Sequence, residues 1–162
     1  MEKAYRSGKV RAIGVSNFYP DRFIDIASFC EIKPAVNQVE THVFQQQKIA
    51  REVMKKYGCQ IESWGPFAEG KNGMFSNALL KETGEKYGKS IAQTALRFLL
   101  QSGVVVIPKS VRKDRMAENF DIFDFSLTDE EMKKISALDT GSSLFFSHYD
   151  PQTVEWFMSF AK

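Results

Sequence analysis

The chain has 162 residues, 43% of them hydrophobic, and its 22 Lys and Arg residues against 20 Asp and Glu residues leave a formal net charge of +2. This near balance argues against coating a polyanion such as nucleic acid, although a local cluster of positive charge could still hold one small anion. A chain of this length forms one domain, over residues 1–162, whose core requires neither disulfides nor a structural metal. Cys30 and Cys59 lie far apart in no metal-ligand spacing, and no apolar run approaches the roughly 20 residues of a membrane span. We therefore expect a soluble cytoplasmic protein with no metal, nucleic-acid or membrane partner.

Four short segments have the character of β-strands. In chain order they are Val10–Ser16, Ala35–Glu40, Cys59–Trp64 and Val104–Lys109. The fourth has the clearest pattern because it is rich in β-branched residues and is bounded by Gly103 and Pro108.

Amphipathic segments separate and follow these strands. The spacing of apolar residues predicts helices after Pro20, from Ile49 to Tyr57, from about Ser76 to Tyr87, from Ser90 to Ser102, from about Lys113 to Phe120, after Thr128 and after Pro151. A glycine-rich loop at residues 69–73 precedes the third of them. Thr128 with Glu131 three residues later is a capping-box pattern, and Asp150 before Pro151 is typical of a helix start.

Alternation of strand and helix predicts a parallel sheet with right-handed crossovers. A four-stranded doubly wound sheet would suit this length, whereas a (β/α)8 barrel typically needs about 250 residues, of which this chain would supply the second half. Two strands carry polar residues at alternate positions, Gln38 with Glu40 and Gln60 with Glu62. Polar groups that face a barrel axis explain this pattern better than the apolar central strands of a doubly wound sheet. Since no G-x-G-x-x-G follows the first strand either, we predict an α/β fold that is the second half of a (β/α)8 TIM barrel, with four parallel βα units and additional carboxy-terminal helices.

The segment that leaves the fourth strand has the composition of a phosphate site. Lys109 and Ser110 follow the strand, and Arg115 lies one turn into the next predicted helix. In a barrel this position brings free backbone N–H groups and a helix dipole together, and a guanidinium can fork onto a phosphate. The alternative from the residues alone is a basic helix start that is simply solvated.

Four motifs appear in order along the chain. They are Gly14-Val15-Ser16-Asn17-Phe18, Asn37-Gln38-x-Glu40-x-His42, Trp64-x-Pro66, and Ile107-Pro108-Lys109-Ser110 with Arg115, Glu118 and Asn119. In this order and spacing the chain resembles the aldo-keto reductases, most closely the bacterial members similar to diketogluconate reductases. The resemblance covers nearly the whole chain, including residues 121–125 and the Phe145-Phe146 pair.

The resemblance implies a (β/α)8 barrel, of which this chain supplies strands five to eight, that reduces small-molecule aldehydes and ketones with NADPH. It implies that Ser16, Asn17 and Gln38 hydrogen-bond the nicotinamide carboxamide and that Trp64 stacks on the nicotinamide ring. The remaining cofactor residues it implies are the 2′-phosphate group Lys109, Ser110, Val111 and Arg115, and the adenine pair Glu118 and Asn119. It assigns no catalytic residue to this chain, and His42 matches a position without a catalytic role.

Each assignment has a structural alternative. Ser16 and Asn17 could cap the following turn, and Trp64 could belong to the core. Gln38 and Glu40 could bond to each other or to water, a role that we favour for Glu40. Gly65 stands where relatives carry Ser, so one hydroxyl expected near the pyrophosphate is absent.

The family's proton donor is a tyrosine assisted by Lys, Asp and usually His, all from the first half of the barrel. Met1 aligns with the interior of the family sequence, so we expect a truncated chain that keeps the cofactor residues and is inactive alone, because general acid catalysis typically supplies 10² to 10⁴-fold. The alternatives are a non-catalytic NADP-binding or interaction module and one half of a two-chain enzyme. Open sheet edges also predict self-association or a complementary half-barrel partner.

Overall fold

A computed structural model describes residues 1–161. Four strands form one parallel sheet in the order β1-β2-β3-β4, and each pairs with its neighbour in sequence. Their bounds are Gly14–Ser16 (β1), Val36–Glu40 (β2), Gln60–Trp64 (β3) and Val105–Val106 (β4). Parallel neighbours joined through helices are the βα units predicted from the alternation, so the partial barrel is confirmed.

Eight α-helices surround and follow this sheet in the described part of the chain. Their bounds are Glu2–Arg6 (α1), Pro20–Phe29 (α2), Lys48–Lys56 (α3), Ala78–Glu85 (α4), Ile91–Gln101 (α5), Lys113–Phe120 (α6), Asp129–Ser136 (α7) and Pro151–Met158 (α8). Residues 68–76 form 3₁₀ turns around a kink, with positive φ at Glu69, Gly70, Asn72 and Gly73. No helix within residues 1–161 is both long and apolar enough to cross a lipid bilayer.

The sheet has one covered and one open face. Val39 and Ile61 are buried under the helices, where they join the core residues of α2, α5 and α7. On the opposite face Gln38 lies beside Glu62, its register partner, and its Nε2 donates a hydrogen bond to the Glu62 carboxylate. The polar positions at alternate residues therefore lie on the face that looks away from the helices, as expected for a barrel interior.

All four strands are shorter than predicted, β2 and β3 by one residue each and β1 and β4 by four residues each. β4 pairs with β3 only at Val105 and Val106, although the apolar pattern predicted a strand to Lys109. Pro108 has no N–H to donate, and Ile107 is 47% exposed, so the chain leaves the sheet there. β1 similarly begins at Gly14 rather than Val10, since only its last residues lie beside β2.

Candidate functional site

Six predicted cofactor residues line one open cavity between the 3₁₀ segment, the start of α5 and the β4–α6 connection. This cavity has a volume of about 970 Å³, and these residues are Lys109, Ser110, Val111, Arg115, Glu118 and Asn119. They come from eleven consecutive positions, yet a strand end, a turn and one helix face are all needed to bring them together. The structure thus places the whole predicted phosphate and adenine group on a single surface.

The turn at Ser110 shapes the entrance to α6. Its hydroxyl oxygen accepts a hydrogen bond of 3.1 Å from the Arg112 backbone N–H, a local turn that ends the extended chain. Arg112 then pairs with Asp114, with Nε 3.1 Å from Oδ1, and this bond lowers the pKa of Asp114 to about 2. The Arg112 charge is therefore compensated within its own turn.

The charges of Lys109 and Arg115, unlike that of Arg112, are not paired with a carboxylate of the described residues. Neither side chain forms an ion pair with any carboxylate of residues 1–161. By contrast Lys89, which also lines the cavity, is held 2.8 Å from both Asp121 and Asp124. Two uncompensated cations beside a hydroxyl and the amino end of a helix form an electrostatic setting for an anion with several negative charges.

Glu118, the acidic residue of the predicted adenine pair, is held in place from the start of α5. The Ser90 hydroxyl caps α5, accepting from the Gln93 N–H at 3.2 Å, and donates to the Glu118 carboxylate. This contact joins α5 to α6 and orients Glu118 on the cavity wall. The sequence motif includes Glu118 but gives no sign that Ser90 is its partner, because the two residues are 28 positions apart.

The remaining predicted residues lie at the carboxyl ends of β1, β2 and β3. The Ser16 hydroxyl donates to the Gln38 carbonyl oxygen at 3.0 Å, and the Asn17 N–H donates to the same oxygen at 2.9 Å. Trp64 Nε1 donates to Asn17 Oδ1 at 2.7 Å. Asn17 adopts φ 58°, a left-handed conformation that Asn tolerates well, and this turns its amide across the sheet toward Trp64.

These contacts decide two of the structural alternatives. The side chains of Ser16 and Asn17 do not cap the following turn, since the Ser16 hydroxyl bonds to the Gln38 carbonyl and the Asn17 amide oxygen to Trp64. Trp64 is half-buried rather than a core residue, and its ring packs against Phe145 edge-on and Phe146 in parallel, with centroids 5.1 and 5.8 Å away. Ser16, Asn17, Gln38 and Trp64 thus form one connected group at the mouth of the sheet.

Glu40 and His42 form a buried pair beside this group. His42 Nε2 is 3.0 Å from Glu40 Oε1, and His42 Nδ1 accepts from the N–H groups of Phe44 and Gln45 at 3.2 and 3.1 Å. With Nδ1 occupied as an acceptor, the proton of the ring lies on Nε2 and is donated to Glu40. His42 is fully buried and bonded at both ring nitrogens, so it is placed as a structural residue and not as a general base.

The Glu40 carboxylate also binds the tail of the chain. It accepts from the Ser143 hydroxyl, and its Oε1 accepts from the Leu144 N–H at 2.9 Å. Burial acts to raise the pKa of Glu40, but the bonds from His42, Ser143 and Leu144 outweigh it and hold the pKa below its usual value. The expected structural role of Glu40 is confirmed, although its partners are tail residues and His42 rather than Gln38.

Comparisons with known proteins agree with this geometry. A sequence model of the "Aldo/keto reductase family" matches residues 1–140. Glyoxal reductase of Bacillus subtilis (strain 168) is 49% identical over 138 residues, which are 85% of this chain and 49% of that protein. The chain thus spans about half the length of the curated relatives it matches.

Solved structures show the same relationship. MGS-M4, an aldo-keto reductase from a Medee basin deep-sea metagenome library, superposes with a TM-score of 0.89 at 39% identity, covering 92% of this chain and 55% of that one. A Gox0644 variant solved in complex with NADPH has a TM-score of 0.84 at 36% identity, covering 90% of this chain and 53% of that one. The fold, the motifs and these matches together show that the chain belongs to the aldo/keto reductase family.

Proposed function

We propose that this chain is the cofactor-holding half of an NADPH-dependent carbonyl reductase. In this assignment Ser16, Asn17 and Gln38 bind the nicotinamide carboxamide and Trp64 stacks on the ring. The 2′-phosphate group is Lys109, Ser110, Val111 and Arg115, and the adenine pair is Glu118 and Asn119. Family membership and an NADPH complex among the structural neighbours support this assignment.

The observation that carries the proposal is the pair of uncompensated cations at one cavity wall. A 2′-phosphate presents close to two negative charges, and Lys109 and Arg115 offer two positive charges without a carboxylate to displace. Ser110 adds a hydroxyl on the same wall. These donors fit NADP(H) better than NAD(H), which has no phosphate at that position.

The two ends of the site perform different tasks. When bound, the cofactor supplies a hydride, and this chain's residues orient and retain it. Trp64, fixed by its bond to Asn17, offers an aromatic plane for the nicotinamide ring, while the charged wall retains the adenosine end. We propose that the acid which protonates the carbonyl oxygen comes from residues outside this sequence, in the same polypeptide or in a partner.

A titration of NADPH and NADH tests the cofactor assignment. Arg115→Ala removes a charge-assisted contact worth about 1.5 to 3 kcal/mol, so the Kd for NADPH is expected to rise roughly 10- to 150-fold while that for NADH stays nearly constant. Lys113→Ala is the matched control, since Lys113 is an exposed cation of the same helix that does not line the cavity. Equal loss for both cofactors, or wild-type preference for NADH, would contradict the proposal.

Two further measurements address activity and assembly. We propose that the 162-residue chain alone does not turn over a simple aldehyde, and measurable reduction by the purified chain would show that it carries its own acid.

We also propose that β1 and β4, each paired on one side only, lead to association with a second copy or a complementary half. A folded monomer at micromolar concentration in sedimentation velocity would count against this. We further propose a cytoplasmic location, the expectation for a chain whose two cysteines, Cys30 and Cys59, are free thiols.

A further inference from the structure

Residues 140–146, here called the tail strap, cross the carboxyl end of β2 after α7. Thr140 anchors the beginning of the strap, because its N–H and its hydroxyl both donate to the Phe44 carbonyl oxygen at 2.8 Å. On the other side, the Lys71 ammonium donates to the Leu144 carbonyl oxygen at 3.0 Å and lies 3.8 Å from the ring centre of Phe145. The strap is thus held by two separate loops.

The strongest attachment is a directional chain of hydrogen bonds that ends on Glu40. The N–H groups of Phe145 and Phe146 both donate to the Ser143 hydroxyl oxygen at 3.0 Å, and that hydroxyl donates to the Glu40 carboxylate. From the opposite side the buried His42 donates to the same carboxylate. Every proton in the network points toward Glu40, so a carboxylate is required at this position.

An amide could not replace that carboxylate. If Gln stood at position 40 with its oxygen toward His42 and the Leu144 N–H, its NH₂ would face the Ser143 hydroxyl. That hydroxyl already accepts two backbone N–H groups, so its own proton would have no acceptor. The strap would then carry an unsatisfied donor at a half-buried position, which costs about 1–3 kcal/mol.

The strap delivers two rings to the functional site. Phe146 lies nearly parallel to the Trp64 ring, at an interplanar angle of 20°, and Phe145 meets it edge-on at 67°. With Asn17 bonded to the indole nitrogen, the plane of Trp64 is fixed from the strap side and from the β1 side. Trp64 is half-buried, so part of its side chain stays exposed beside these two rings.

We propose that Glu40 and Ser143 are positioning residues for the nicotinamide end of the site, because they hold Phe145 and Phe146 against Trp64 and thereby fix the plane on which the nicotinamide stacks. This inference rests on the function proposed above. In this proposal neither residue contacts the cofactor or affects binding of its phosphate end. A change in the tail strap should therefore weaken binding of the nicotinamide half of the dinucleotide and leave binding of the adenosine half unchanged.

The test compares NADPH with adenosine 2′,5′-bisphosphate, which contains the adenosine end without nicotinamide. Ser143→Ala and Glu40→Gln are expected to raise the Kd for NADPH by 3-fold to 30-fold, on the order of 0.7–2 kcal/mol, and to change the Kd for the bisphosphate less than 2-fold. Ser142→Ala is the matched control, since the adjacent Ser142 hydroxyl makes no hydrogen bond within the described residues. Equal weakening of both ligands, or no change in either, would overturn the proposal.

Tryptophan emission gives a second readout that needs no ligand. In a Trp156→Phe background Trp64 is the remaining tryptophan, and release of the strap is expected to shift its emission to longer wavelength in Ser143→Ala but not in Ser142→Ala. Ser143→Ala changes a half-buried hydroxyl and preserves the Glu40–His42 pair, so it serves where Glu40→Gln fails to fold. If the wild-type chain binds neither ligand, the proposed function is wrong. The emission of Trp64 then tests the positioning role of the tail strap on its own: an unchanged spectrum in Ser143→Ala overturns that role, and a red shift supports it.

Discussion

Glu131 provides a test of how the wall of the cavity is supported. This carboxylate, only 6% exposed, accepts hydrogen bonds from the Tyr87 hydroxyl at 2.6 Å, the Lys86 ammonium at 2.9 Å and the Thr128 N–H at 3.0 Å. It therefore closes the capping box of α7 and also ties α7 to the end of α4. The segment that follows Tyr87 leads directly into Lys89 and Ser90 of the cavity wall.

The magnitude follows from the titration of this carboxylate. Burial acts to raise the pKa of Glu131, but the bonds from Tyr87, Lys86 and Thr128 lower it from 4.5 to about 2. At 1.36 kcal/mol per pH unit, this difference corresponds to about 3 kcal/mol of stability at neutral pH. Because Lys86 is largely exposed and its attraction is screened by solvent, we expect Glu131→Gln to cost about 2–3 kcal/mol, or roughly 5–10 °C in Tm.

Urea unfolding at several pH values measures this cost. Since the folded pKa is below the ordinary value, the stabilisation is complete above about pH 4.5 and is lost as the pH falls toward 2, so the wild type and Glu131→Gln should converge in acid. Glu130→Gln is the control, because Glu130 forms a surface ion pair with Lys134 and its substitution should change stability much less. A gap below about 0.5 kcal/mol at pH 7, or a gap that does not depend on pH, would show that the ionised Glu131 carboxylate does not stabilise the folded chain.

Three further predictions concern packing and titration. Gly84→Ala should destabilise the protein by about 1–3 kcal/mol in urea unfolding. The reason is that a Cβ at this position would lie 2.4 Å from the Lys89 carbonyl oxygen and 2.5 Å from Thr94 Oγ1. An unchanged stability would show that α4 can shift to accommodate the methyl group. Burial raises the pKa of Cys59 to about 11, so iodoacetamide at pH 8 should not modify this thiol in the native protein and should modify it after denaturation. Peptide mass spectrometry measures the labelling, and rapid labelling of the native protein would contradict the prediction. Burial lowers the pKa of His148, whose Nε2 has no hydrogen-bond partner among the described residues. The free energy of unfolding should therefore fall as the pH drops below about 6.5. In thermal unfolding, His148→Gln should remove part of this pH dependence.

Local signals predicted the helices well. α6 spans Lys113–Phe120 as predicted, and the Thr128–Glu131 capping box is formed in both directions. Asp150 accepts from the Gln152 N–H at 3.1 Å at the start of α8. These features depend on residues within one turn of each other, which sequence spacing represents directly.

Strand length was predicted less well because it depends on neighbours. An apolar run such as Val104–Lys109 shows that a segment is extended, whereas pairing requires a partner with free N–H and C=O groups at the right register. β3 offers such a partner to Val105 and Val106 alone. The strand with the clearest pattern is consequently the shortest in the sheet.

The candidate site shows the same division. The motifs identified which residues gather at the mouth of the sheet, but not the contacts that orient them. The Gln38–Glu62 bond could have been inferred, because both residues lie two positions before the end of their strands and parallel register pairs them. The bond from Ser143 to Glu40 spans 103 positions and involves a tail without periodic pattern, so no sequence spacing indicates it.

The sheet order β1-β2-β3-β4 also has a consequence for biosynthesis. β2, β3 and β4 each pair with the strand that precedes them in the chain, so during translation the pairing partner of each of these strands is synthesised first. The tail differs, because the hydrogen bond from the His148 N–H to the Tyr19 hydroxyl joins positions 129 apart and cannot form until residue 148 has been made. Phe145 and Phe146 can therefore pack against Trp64 only after all four strands of the sheet have been synthesised.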